Sequence, residues 1–237
     1  MYTTCKMGLH RNLRSICRRF GVVPRGVVHV GAHVGQEHGQ YARAGLVEQV
    51  WIEPQPDVYE QLVAALPKSP AVRAFRCACG DEPGIAQMRV LANAGGAASS
   101  LLDPSAYLQR EFPNMPVTGT VPVEVRRLDD LLAEHGLDRG ELSLLAMDVQ
   151  GFELRVLRGA PRTLARTALV LCEVAKVELY NGGATIDTVD AELAGAGFER
   201  MLLRMEKHGW GDAIYVRRER VSALQRLRRR LLGPARR

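Results

Sequence analysis

Apolar residues in this chain fall into two patterns that take turns along its length. Short, nearly continuous runs of Val, Ile and Leu read as buried strands, and stretches with apolar residues three or four apart read as helices. Val27 to Val30 is the first run and ends at Gly31; a helix over 35–45 follows and closes at Gly45. Val50 to Glu53 is a second strand, Pro56 opens a helix over 56–66, and Val72 to Cys79 is a third strand. Residues 121–125 alternate like an edge strand, which tolerates Pro122. Residues 142–147 and 168–172 are almost wholly apolar strands ending at Asp148 and Glu173. Helices are expected over 128–136, 151–160 and 184–196, the second closed by Gly159 and Pro161. Residues 198–204 and 213–217 read as a final antiparallel pair. Near the N-terminus, Leu13, Ile16, Cys17 and Phe20 share one helical face with arginines opposite, before Pro24 and Gly26 break it.

Apolar strands between amphipathic helices predict an α/β fold: a mostly parallel twisted sheet, helices on both faces, and an antiparallel final strand. Ligands of such sheets bind beyond the carboxyl ends of the strands. The positions there are Gly31, Glu53, Cys79 to Asp81, Asp148 and Glu173. Residues 80–120 break the pattern. They are rich in Gly, Pro, Ala and Ser and read as a long irregular insertion with a short strand at 85–91. Such a stretch is either a binding loop or lid, or a solvated excursion.

Charge changes the picture of the ends. The chain has 237 residues and a net charge of +6, but residues 1–26 carry +6, residues 217–237 carry +8, and 27–216 carry −8. The basic character belongs to the termini, so no nucleic-acid partner is expected; such an enzyme would carry its basic stripe on the folded face. The division expected is a basic helical extension over 1–26, one catalytic domain over 27–217, and a basic amphipathic tail over 218–237. The tail places Val221, Leu224, Leu227 and Leu231 on one stripe of a helix over 221–232, with arginines around it. That pattern suits weak peripheral contact with the inner membrane face or a partner, or else a frayed solvated tail. No apolar run reaches the ~18 residues of a membrane span, and no signal peptide is visible. The five cysteines, Cys5, Cys17, Cys77, Cys79 and Cys172, show no zinc spacing. They read as packed thiols of a reducing, cytoplasmic compartment.

Gly31-Ala32-His33-Val34-Gly35 is a Gly-x-x-x-Gly turn between strand and helix, where backbone can approach a ligand closely. Alone it is also just a tight turn. Glu53 lies 22 residues after Gly31 at the end of the second strand. An acid about 20 residues beyond the glycine turn can accept both ribose hydroxyls of an adenosine ligand. A dinucleotide turn is usually Gly-x-Gly-x-x-Gly, and a β-carbon at His33 would crowd a pyrophosphate. The turn therefore favours S-adenosylmethionine over NAD.

These residues resemble a known family. His29-Val30-Gly31-Ala32-His33-Val34-Gly35-Gln36, then Trp51-Ile52-Glu53-Pro54, looks like the first half of an FkbM-type methyltransferase. Met147-Asp148-Val149-Gln150-Gly151-Phe152-Glu153 through Gly159-Ala160 is similar to that family's signature after its fourth strand. Ser99-Ser100-Leu101 and Arg127-Leu128-Asp129-Asp130-Leu131-Leu132 resemble its intervening pieces, and the likeness spans about 20–217. The resemblance implies a class I, Rossmann-like, S-adenosylmethionine-dependent fold. It implies O-methylation of a hydroxyl on a sugar, glycoconjugate or natural product. It places Gly31 and Gly35 at the methionine end of the cofactor, Glu53 on the ribose, Cys79, Gly80 and Asp81 near the adenine, and Asp148 facing the active site; Ala32, within the turn, is a further cofactor-binding candidate, and His33 either touches the cofactor or caps the following helix. Two departures stand out: His29 occupies a position where relatives often carry an Asp that helps hold the cofactor's amino group, and Gln150 replaces a frequent Glu.

An alcohol acceptor benefits from a base that takes its proton. Asp148 and Glu173 at strand ends, and His208 in the turn of the last strand pair, are the catalytic candidates. Glu153 is either a further base or a cap for the loop before it. Lys176 and Tyr180 read as solvated loop positions, and His10 and His135 as surface residues. Two carboxylates without a third ligand make no metal site. Two rival readings stay open: a non-catalytic cofactor-binding or scaffold domain, and an NAD-dependent dehydrogenase.

Overall fold

The computed structural model describes residues 9–92, 95–223 and 225. The expected basic helix over 221–232 therefore lies almost wholly outside the described residues. The elements, in chain order, are α1 (Leu13–Arg19), β1 (Gly26–Val30), α2 (His38–Ala44), β2 (Glu48–Ile52), α3 (Pro56–Ala65), β3 (Val72–Phe75), β4 (Ala78–Cys79) and β5 (Gly84–Leu91). There follow α4 (Ala106–Glu111), β6 (Val117–Arg126), α5 (Leu128–Glu134), β7 (Leu142–Met147), α6 (Glu153–Arg158) and α7 (Pro161–Arg166). The last are β8 (Thr167–Ala175), α8 (Ile186–Gly195), β9 (Phe198–Met205) and β10 (Trp210–Arg217).

A seven-stranded sheet runs in the order β3-β2-β1-β7-β8-β10-β9. β10 is antiparallel to both its neighbours, and the other pairings are parallel. β1, β7 and β8 are buried on both faces, which is why they read as continuous apolar runs. Alternate residues serve two cores. Val28, Val30, Leu145 and Met147 face α5 to α8, whereas Val27, Trp51, Leu144 and Ala146 face α1 to α3. The apolar face of α1, with Leu13, Ile16 and Cys17 buried, packs into the second of these cores.

The chain builds outward from β1 to β3, then returns to the other side of β1 as β7. The crevice at that reversal is where ligands of doubly wound sheets bind. Gly31 sits there at φ +77, and a β-carbon on it would lie 1.9 Å from the Asp148 carbonyl oxygen. The ends of β1 and β7 thus meet only because position 31 has no side chain.

Several expected bounds shift. The third strand divides: β3 stays in the large sheet, and β4 belongs to a second sheet of order β4-β6-β5. The 80–120 stretch is folded rather than irregular, since β5 pairs antiparallel with β6 over its length and α4 is capped by the Ser105 hydroxyl, which accepts from the Leu108 amide. Pattern reading missed this because its core is small and separate, with Ala78, Met88, Val123 and Val125 in one cluster and Leu91, Ala98, Leu108 and Tyr180 in another. Pro122 lies in the middle strand of the small sheet, but β4 pairs only with Val125 and Arg126, so β6 is one-sided at that point. Pro161 does not end helical structure; it opens α7 at its first turn.

Candidate active site

A cleft opens at the switch point, between the carboxyl ends of β1, β2, β7 and β8 and the small sheet. The Glu53 carboxylate, buried at the end of β2, accepts the His33 amide on Oε2 (2.8 Å) and the Gln55 amide on Oε1 (2.9 Å). Each oxygen keeps acceptor capacity toward the cleft. Burial pushes this carboxyl above its usual range, against the pull of the two amides. Gly31 and Ala32 both donate to the Ile52 carbonyl, which pins the turn to β2. Among the described residues only two without a glycine backbone have positive φ, His33 (+47) and Gln150 (+53), and both line the cleft. Backbone held in that region collects at functional loops.

On the other side, the Gln150 amide nitrogen donates to Asp148 Oδ1 (2.6 Å) and to Glu173 Oε2 (2.8 Å). Its carbonyl oxygen accepts from the buried Tyr180 hydroxyl (3.1 Å). Burial and then the Asp148 charge drive Glu173 well above the carboxylate range, and the two acids share a hydrogen bond. Burial also raises Asp148. Both acids are thus pushed toward their protonated forms, Glu173 the more strongly of the two. Glu153 does not join them. It accepts the Val149 and Gly151 amides (3.3 and 3.2 Å), caps the loop, and is pushed up to about 7 by burial.

His29 lines the cleft with its Nδ1 3.1 Å from the Tyr41 hydroxyl. Burial, then the neighbouring His10, lowers it to about 3, so it stays neutral and repels no ammonium group. His10 is not a surface residue: its ring stacks 6.1 Å from that of His29, it lines the cleft, and burial lowers it to about 4.

The structure brings His29, Gly31, His33, Glu53, Cys79, Asp148 and Glu173 to the cleft wall. Ala32, Gly35, Gly80 and Asp81 do not line it. Ala32 and Gly35 shape the turn from behind, and a β-carbon on Gly35 would meet Leu62 at 2.7 Å. Gly80 packs against Phe152, and Asp81 pairs instead with Arg155 (3.1 Å). His208 is also absent. The β9–β10 turn carries it away from the cleft, where its ring stacks on Trp210 (5.3 Å) and meets Phe112 edge-on (5.5 Å). Tyr180 is wholly buried rather than solvated. His33 does not cap α2; its Nε2 bonds the Gly95 carbonyl at 2.7 Å. Sequence reading missed Glu37 and Asp212, for which no local motif gives a signal; Ser100 was quoted only as part of a motif, and Tyr180 was placed in solvent. Gln150 was visible as a departure but not as a bridge.

The wall carries five carboxylates and, among the described residues, no lysine or arginine. A pyrophosphate has no counter-charge there, whereas a cationic sulfonium is suited to it. The Ser99 hydroxyl and Glu37 Oε2 are buried without partners and remain open to a ligand. With the spare acceptor sites of Glu53 for a ribose, these residues fit S-adenosylmethionine. No group of His, Cys, Asp and Glu suited to a metal ion occurs among the described residues.

The 2-O-methyltransferase NoeI of Sinorhizobium fredii (strain NBRC 101917 / NGR234) is 27% identical over 185 residues, 76% of this chain and 74% of NoeI. Among solved structures, magnesium protoporphyrin IX methyltransferase from Synechocystis PCC 6803 with bound SAM aligns at a TM-score of 0.47 and 10% identity, covering 88% of this chain and 79% of that one. A TehB-like SAM-dependent methyltransferase from Corynebacterium glutamicum aligns at 0.45 and 9%, covering 89% and 88%. Residues 29–200 match the methyltransferase FkbM domain, and the chain belongs to that family of S-adenosylmethionine-dependent methyltransferases.

Proposed function

We propose that the chain methylates a hydroxyl group, on a sugar, glycoconjugate or related natural product, with Asp148 as the general base. The observation that carries this reading is the Asp148–Gln150–Glu173 bridge at the switch point. S-adenosylmethionine supplies an electrophilic methyl group when bound. Asp148, fixed by the Gln150 amide, accepts the hydroxyl proton of the acceptor. Glu173, which keeps its own proton, prevents a second charge from building beside it. Ser100 donates to the Gln150 carbonyl (2.8 Å) and Tyr180 donates to the Ala98 carbonyl (2.7 Å), so the folded insertion holds the base in place. The 2-O-methyltransferase name of NoeI supports an oxygen acceptor.

The test is methyl transfer from labelled S-adenosylmethionine to a panel of glycosides and glycoconjugates, with the product bond identified by mass spectrometry and alkali stability. An alkali-stable methyl ether is expected. Asp148→Asn should lower turnover about 10²–10⁴-fold, the usual worth of a positioned base, while S-adenosylhomocysteine still binds. Methylation of nitrogen or of a carboxylate, or full activity in Asp148→Asn, overturns the reading.

A further inference from the structure

Each of the five cleft carboxylates has a partner, but one oxygen of Glu37 has none. Glu53 holds two backbone amides, Asp148 and Glu173 share Gln150, and Asp212 Oδ2 accepts the Leu9 amide at 3.2 Å. Glu37 differs. It lines the same wall from the start of α2, and its Oε2 is buried and meets no donor. The Gln36 side chain bonds the carboxyl group. Around it stand Asp148 from the end of β7, Asp212 from β10 and the Tyr41 hydroxyl from α2, which itself meets the neutral rings of His10 and His29. None of these groups is a cation.

A buried carboxylate without a counter-charge takes up a proton. Burial, and then Asp148 and Asp212, push Glu37 up to about 7. We propose that Glu37 is a specificity-determining residue that reads the sulfonium charge of the cofactor, favouring S-adenosylmethionine over spent S-adenosylhomocysteine. The proposal rests on the family's methyl donor and not on the class of acceptor. When the cation enters, the carboxyl O–H of Glu37 breaks, its proton passes to solvent, and the carboxylate balances the sulfonium. Methyl transfer leaves a neutral thioether. Glu37 then recovers a proton from solvent, and the cleft loses its hold on the charge it had matched. One proton still leaves overall, from the acceptor hydroxyl.

Calorimetric titration of the full chain with each ligand, at pH 6, 7 and 8 and in buffers of different ionisation enthalpy, tests this. S-adenosylmethionine should release close to one proton at pH 6 and S-adenosylhomocysteine close to none. The affinity ratio of the two should rise about tenfold between pH 6 and pH 8, as linkage requires for one proton from a group at about 7. Glu37→Gln should remove the pH dependence of that ratio. Equal proton release and parallel pH profiles in the wild type overturn the proposal without reference to any variant. So does a Glu37→Gln protein that keeps the wild-type difference. Failure of both ligands to bind the wild type would strike the cofactor assignment itself, and this inference with it.

Discussion

The two halves of the cleft are held by different means. At the β1–β2 half the holding groups are backbone: Glu53 bonds two main-chain amides, and Gly31 and Ala32 bond the Ile52 carbonyl. At the β7–β8 half the holding groups are side chains, with Gln150 joined to Asp148, Glu173 and Tyr180. Backbone fixation makes one half, Glu53 aside, tolerant of side-chain change but intolerant of a β-carbon added at Gly31 or Gly35. A side-chain network makes the other half sensitive to single polar substitutions, because each buried group left unpaired carries its desolvation cost.

The sharpest way to break the first half is Gly31→Ala. Its β-carbon would overlap the Asp148 carbonyl at an unfavourable φ, and a loss of about 3 kcal/mol or more is expected from strain of that kind. Chemical denaturation measures it. A wild-type midpoint would show that the β1–β7 approach is loose. In the second half, Gln150→Leu should reduce turnover about tenfold and move the acid limb of the pH–rate profile upward. The lost amide bonds favour the charged acids, so Asp148 would protonate at higher pH. An unmoved limb would mean that Gln150 only fills space.

A smaller effect concerns stability. Glu153 titrates near 7 when folded against 4.5 as its ordinary value. Its folded pKa is raised, so its contribution is fully present below about 4.5 and is lost as pH rises through about 7. The ligand-free protein should melt a few degrees lower at pH 8 than at pH 5, and Glu153→Gln should flatten that slope. The smallest effect is expected at His208, which stands outside both halves. His208→Ala should leave ligand binding and turnover unchanged and cost at most a few degrees of melting temperature, from lost contact with Trp210.

The same contrast explains what could be read early. Gly31, Glu53 and Asp148 were legible because each follows a strand whose apolar run is plain, and Glu173 because the run of β8 breaks there although the strand continues to Ala175; strand ends in a doubly wound sheet converge on one crevice. Gly80, Asp81 and His208 were adjacent to such positions by number but are turned away by Phe152, Arg155 and Trp210. Strands at 85–91 and 121–125 were legible, but their pairing into a separate small sheet was not, because their faces are exposed and mixed and carry no sign of which strand they join.

The basic helix expected over 221–232 lies almost wholly outside the described residues. Among those that are described, no helix is long and apolar enough to cross a membrane.

The amino-acid order alone determined the alternating strands and helices, the position of the crevice, and the turn and acid that line it. These follow from periodicity and chain spacing, which are local. Tertiary structure alone decided that Gln150 bridges two acids, that Tyr180 and Ser100 support it, that His10 and His29 stack neutral, and that one oxygen of Glu37 stays unpartnered beside Asp212. Those relations join residues up to 175 positions apart, as Glu37 and Asp212 are. Burial sets their protonation, and burial exists only once the sheet has closed over them.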